Sequence, residues 1–316
     1  MSDYKDVHGT GILNYAGDVP NVLEGQVWYN STAKDFRYLF NDVGSWSTGG
    51  NLNTARYTMG RAGTQTAALA IGGSAPSATE IVESYNGSSW TEVNDLNTAR
   101  SQMGSSGTNT AALGFGGNPV QATTEAYNGT NWTELNDLNT ARRGLAGCGT
   151  QTAALAFGGT PGAKNETELW NGTNWTEVNN LNAGRTDLGG LGTSTAALGL
   201  AGQAPSFVKS NELWNGTNWT EVADLNSNRR GFGTGGTTAA GVVFGGYNTD
   251  TPGPFGNTEV WNGSGWTEVG NLATVREGIG GAGTGTVALG FGGQAGDVYA
   301  NTEEFNAGPA IATITS

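Results

Sequence analysis

Short apolar runs separated by polar turns fill most of this chain, and from residue 46 onward they recur at a steady interval. One kind of run is continuous, as in Ala67-Ala68-Leu69-Ala70-Ile71. Five apolar residues bounded by turns predict a strand buried on both faces. A second kind alternates, as in Trp90-Thr91-Glu92-Val93, and predicts a half-exposed outer strand. Asn-Gly pairs at Asn86, Asn128, Asn171, Asn215 and Asn262 stand just before the alternating runs. Both residue types tolerate positive φ, so each pair predicts a tight hairpin.

Marker residues fix the interval. Tryptophan is followed ten residues later by arginine at Trp46/Arg56, Trp90/Arg100, Trp132/Arg142, Trp175/Arg185, Trp219/Arg229 and Trp266/Arg276. Sixteen residues after each arginine comes a small pair, Gly72-Gly73 in the first unit and Ala201-Gly202 in the fourth. A Glu-x-aromatic-Asn segment follows, beginning with Glu83 and Tyr85. Each unit therefore predicts four strands, a to d, and four strands every 42–47 residues predict the blades of a β-propeller. These markers in this order resemble the kelch repeat over roughly residues 46–306, which implies that the tryptophans and strand-c aromatics pack between blades.

The expectation is an all-β, six-bladed propeller spanning 46–308, with an N-terminal arm over 1–45 and a tail over 309–316. The last unit lacks a tryptophan after Phe305, while Trp46 stands before the first unit with no blade of its own. Pairing the two ends would close the ring and cover an open sheet edge. A stunted seventh blade over 25–46 is the alternative, although no seventh arginine or glycine pair exists. In the arm, residues 25–32 and Phe36–Phe40 predict a β-hairpin. Glycines on strand a are expected where six inner strands crowd the axis.

Composition narrows the chemistry. With 14 basic and 27 acidic side chains the net charge is −13, which excludes a phosphate-backbone binding surface. One cysteine, Cys148, and one histidine, His8, exclude a Cys/His metal cluster and an internal disulfide. A Ser-His-Asp or Cys-His site would have to recruit His8 from the polar arm, so no catalytic, metal or cofactor site is expected. Galactose oxidase is a kelch-type propeller enzyme, but its copper site needs two histidines and a cysteine–tyrosine pair, and this chain has one histidine; the Ser-x-Asp-x-Gly-x-x-Trp box of six-bladed sialidases is absent as well. No stretch of 18 apolar residues and no basic-then-apolar leader is seen, so neither membrane insertion nor secretion is expected. The six arginines are read as ties of the d–a loops rather than an anion ring, and the strand-c glutamates as their partners rather than glycosidase carboxylates. Sequons such as Asn131-Trp-Thr are read as hairpin chemistry, and Cys148 as a small buried residue.

What varies is the segment between strands b and c, of nine, seven, eight, nine, twelve and nine residues in the six units. Variable loops on a rigid scaffold are where binding specificity resides. Their irregular residues Phe207, Lys209, Tyr247, Asp250, Phe255 and Tyr299 form the candidate ligand-binding set, together with Asp297. The segment Gly-Gln-Val-Trp-Tyr-Asn-Ser-Thr and the Asn-Gly-Thr-x-Trp-Thr-Glu repeats resemble virion and tail-fibre-like proteins of marine bacteriophages. That resemblance implies a structural or adhesive virion protein, made in the host cytoplasm. Its partners would be other virion proteins, through the arm, and a host-surface glycan or protein. A cellular kelch-type interaction module is the alternative, and a glycan-active enzyme stands last.

Overall fold

The computed structural model describes residues 13–17 and 26–313; His8 lies outside them. Among the described residues every regular element is a strand, and the chain divides into two compact units.

The larger unit, Ser45–Asn306, is a six-bladed β-propeller. Blade 1 runs Gly60–Thr64 (a), Ala67–Ile71 (b), Val82–Tyr85 (c) and Trp90–Val93 (d), hydrogen-bonded in that order. Blades 2 to 5 repeat the order, starting at Gly104, Ala146, Gly189 and Gly233. Blade 6 takes a, b and c from Gly280–Gly283, Val287–Phe291 and Thr302–Thr313, and its fourth strand is Asp35–Thr48 from the other end of the chain. Each a strand packs on the next, and that of blade 6 on that of blade 1. The ring has six blades and is closed by Trp46, not by a seventh blade.

The tryptophans show how the blades hold together. Each lies 5.0–5.4 Å from the strand-c aromatic of its own blade, from Tyr85–Trp90 to Phe305–Trp46. In four blades the indole also lies against the preceding blade, meeting a phenylalanine at the end of strand b and donating Nε1–H to a threonine hydroxyl on strand c. Trp175 does so with Phe115 and Thr124, and Trp46 with Phe244 and Thr258. Blade 1 carries Val82 and blade 4 Asn211 at the threonine position, and the buried Nε1 of Trp132 and of Trp266, one blade on, have no partner. Val82→Thr should therefore raise stability by about 1 kcal/mol, and Thr124→Val should lower it by about 1–2 kcal/mol, as urea denaturation would show.

Strand-a glycines have a second cause beside the crowding expected from neighbouring blades. A Cβ on Gly104, Gly233 or Gly280 would come within 2.1–2.4 Å of the phenylalanine ring ending strand b of the same blade. At Gly60 and Gly189 the next blade crowds in instead, through Met103 and Phe232, and the next glycine along, as at Gly147 and Gly281, meets the neighbouring inner strand. Blade 4 also departs from expectation: its b–c segment is no loop. Ala197–Ala204 and Ser206–Trp214 continue as one long hairpin, with a register shift at Ala201, whose φ is 45°.

The smaller unit comprises residues up to Gly44 and from Ala307 onward. Val27–Asn30 pairs antiparallel with the start of Asp35–Thr48, giving the arm its hairpin, and Leu13–Tyr15 adds in parallel. Trp28 is fully buried. The strand begun at Thr302 runs on to Thr313, so residues placed in a tail beyond 308 are strand that far.

Candidate functional site

The d–a loops reach the axis because each is pinned to its own blade. Arg56 donates through Nη1 to the carbonyls of Gly72 and Ile81 and through Nη2 to Glu83 Oε1. The other oxygen of Glu83 accepts the backbone N–H and side-chain amide of Asn53. Arg100–Glu125, Arg142–Glu168, Arg185–Glu212, Arg229–Glu259 and Arg276–Glu303 repeat the ion pair at 2.5–3.0 Å, and all six pairs are almost wholly buried. Burial pushes the six arginines below their ordinary pKa and the glutamates pull them back up. These charges are enclosed and satisfied by the fold, so neither the arginines nor the glutamates present a ligand surface.

The residue after each arginine bridges the residue after the glycine pair, as in Tyr57 with Ser74 and Arg230 with Tyr247. This brings the d–a and b–c segments to one face. One residue further, Thr58, Gln102, Gly144, Asp187, Gly231 and Gly278 all lie in the left-handed region, with φ of 51–63°. Each donates its N–H to the carbonyl of its counterpart in the preceding blade, at 2.6–3.2 Å. The six bonds form a closed circle around the axis. Three of the six are glycine, the residue for which this φ carries no strain.

The circle makes the floor of a basin of about 140 Å³ lined by Tyr57, Thr58, Gln102, Asp187, Arg230, Glu277 and Gln294, among others. The six-fold repeat breaks down here. Asp187 accepts from Gln102 Nε2 at 3.4 Å; burial pushes its carboxyl above the usual range, and Arg230 and Arg143 pull it down. Arg143 donates to Gln102 Oε1 and to Asn118 Oδ1. Arg230 lies 3.8 Å from Glu277. The Arg230 guanidinium also stands 5.0 Å from the Phe207 ring centre and 5.6 Å from that of Tyr247, and the two rings meet edge to face at 5.9 Å.

Of the residues proposed from sequence, the structure brings Phe207 and Tyr247 together. Phe255 lies over the buried Arg229, 4.6 Å away, and thus packs against the loop tie. Tyr299 is half-buried in blade 6, where its backbone joins Gly293 and Arg56. Lys209, Asp250 and Asp297 are exposed, and none of them lines the basin. Arg143, Asp187, Arg230 and Glu277 were missed. Their signal was the variability of the two positions after each repeat arginine, masked by the doubled arginines Arg142-Arg143 and Arg229-Arg230.

The sequon asparagines are occupied structurally. Asn128 Oδ1 accepts the N–H groups of Thr130 and Asn131, and Asn174 Oδ1 accepts from Asn136 across the blade 2–3 seam. Cys148 is buried on strand a, and burial pushes its thiol up to about 12, so it stays protonated and unreactive. Among the described residues no cluster of three or more His, Cys, Asp or Glu could hold a metal ion, and no helix is long and apolar enough to cross a membrane.

No family model matches the chain, and no curated protein matches it. Solved structures do match, 559 chains in number. One, titled "Structure of YjhT", superposes with a TM-score of 0.66 at 13% identity, over 85% of this chain and 97% of that one. At that identity the likeness speaks to architecture alone: the chain has an all-β propeller fold in common with that structure.

Proposed function

We propose that the protein is a non-enzymatic adhesive or structural component of a bacteriophage particle, built on kelch-type repeats, that meets a host-surface glycan or protein through the basin face. The observation that carries this reading is the gathering of repeat-breaking residues around one end of the axis. The ring would serve as scaffold with any residue there, yet Arg230 sits beside two aromatic rings, next to Glu277 and the Asp187–Gln102–Arg143 group. Aromatic faces combined with a few fixed hydrogen-bonding groups suit sugars and protein surfaces alike. The two arginines and two carboxylates balance locally, and the chain carries −13 in all, so a neutral or zwitterionic ligand is favoured over a polyanion.

The virion assignment is supported by the resemblance of the hairpin around Trp28 and of the Asn-Gly-Thr-x-Trp-Thr-Glu units to phage virion proteins. The N-terminal arm is then the part that contacts other virion proteins. Mass spectrometry of purified particles tests this. The protein should be present at a fixed copy number per particle; its absence from particles, together with recovery in a complex with a cellular protein, would favour an intracellular interaction module.

A further inference from the structure

The central tunnel holds a charge that the fold does not ask for. The second residue of strand a is Arg61, Ser105, Gly147, Gly190, Thr234 or Gly281 in blades 1 to 6, all in one register. Ser105 and Thr234 spend their hydroxyls on carbonyls of the adjoining inner strand, those of Arg61 and Gly190. Arg61 instead reaches past the glycine of blade 6 to blade 5, where Nη2 donates to Thr234 Oγ1 at 2.8 Å. Around it lies a cavity of about 110 Å³ whose wall is mostly backbone, glycine and small side chains.

Each of the six repeat arginines has a glutamate. Among the described residues no carboxylate forms an ion pair with Arg61. Desolvation against the wall lowers its pKa to about 10 with nothing opposing, so it remains charged at neutral pH. The guanidinium is part-buried at a tunnel wall open to solvent, and its bond to Thr234 uses one of its five N–H donors, so others have room to take another partner. The backbone supplies further donors. In blade 2, Thr108 and Ala111 exchange both backbone hydrogen bonds. Positions an odd number of residues before Thr108, namely Gly107 and Ser105, therefore turn both their N–H and their C=O groups off the ladder toward the tunnel, where the carbonyls of Arg61 and Gly190 are taken up by the Ser105 and Thr234 hydroxyls. Gly63 holds the same place beside Arg61, and Arg61 itself donates its N–H inward, to Ser105 Oγ.

We propose that the tunnel is a binding site for one small monovalent anion of halide size, held by the Arg61 guanidinium and the inward-facing N–H groups of the adjacent glycines. Monovalence follows from the single cation: Arg61 is the one charged residue of the tunnel wall among the described residues, so the second charge of a sulfate would have no ionic partner there. The site is separate from the basin, since the apolar collar of Met59, Met103, Leu145, Leu188, Phe232 and Ile279 lies on the basin side of Arg61.

Bromide is the probe. Crystals of the full chain soaked in sodium bromide should show an anomalous peak within hydrogen-bonding distance of the Arg61 guanidinium. In solution, bromide replacing sulfate at constant ionic strength should raise the melting temperature of the wild type relative to Arg61→Met. Once binding saturates, the gain should be about 2–4 °C per tenfold of bromide. Arg61→Lys, with the charge but fewer donors, should show a smaller gain. At the lowest bromide Arg61→Met should melt no lower than the wild type, because it removes an uncompensated charge. An empty tunnel in the bromide crystals, or a constant wild-type-to-variant difference, would overturn the proposal; a sulfate beside Arg61 would overturn its monovalence. The diffraction result stands on the unsubstituted protein, whatever the variants do.

Discussion

A chain lacking residues 1–50 is expected to lose more stability than any single substitution described here, and to aggregate when warmed. The truncation removes Trp46, and with it the contacts to Phe244 and Phe305 and the hydrogen bond to Thr258. It also removes Gly49, whose N–H donates to the Thr302 carbonyl. Blade 6 is left with three strands and a bare edge, the arrangement that recruits other chains. A point variant gives the scale: Trp175→Ala, at a fully packed site in the middle of the ring, should cost about 3–5 kcal/mol. A folded protein has only about 5–15 kcal/mol in hand, so losing a whole strand in addition to one tryptophan leaves little. Thermal melting and light scattering would check this; an unchanged melting temperature for the truncation would show that the ring does not depend on its N-terminal strand.

The second large effect is expected at the loop ties. Arg142 and Glu168 lie 2.9 Å apart and are almost wholly buried, and Arg142 also donates to the carbonyls of Gly158 and Glu166. Replacing one partner leaves the other charge enclosed and unpaired, so Arg142→Met and Glu168→Gln should each cost about 3–5 kcal/mol. The double variant should cost less than the sum, with a coupling of about 1–3 kcal/mol. Denaturant titrations of the four proteins measure it. Single variants within about 1 kcal/mol of the wild type would mean that the loops hold their shape without the pair.

The blades were legible because their markers are packing devices repeated at fixed spacing. Trp175 and Arg142 recur since every seam needs the same indole and every d–a loop the same tie. Ring closure was legible from a missing part, the tryptophan absent after Phe305 and present at Trp46. The axial circle was not. Its column reads Thr58, Gln102, Gly144, Asp187, Gly231, Gly278, and only half of these residues betray a left-handed backbone. The circle also depends on contacts between blades that periodicity within one unit does not encode. Phe207 and Tyr247 were found because they interrupt small-residue loops, whereas Arg230 was hidden behind the structural Arg229. In blade 4 the residues flanking Pro205 continue the sheet as a long hairpin, which residue type alone did not reveal. Arg61 could have been noticed as the one basic residue in a column otherwise made of Ser, Thr and Gly.

The basin face is proposed to make the functional contact. The direct measurement is adhesion of the purified, fluorescently labelled protein to host cells, compared with a triple variant carrying Phe207→Ser, Tyr247→Ser and Arg230→Gln. These side chains stand together and outside the blade cores, so the variant should melt close to the wild type while its adhesion falls by at least tenfold. Wild-type adhesion by the folded triple variant, lost instead when residues of the arm such as Phe36 are replaced, would contradict the account and move the contact to the N-terminal unit.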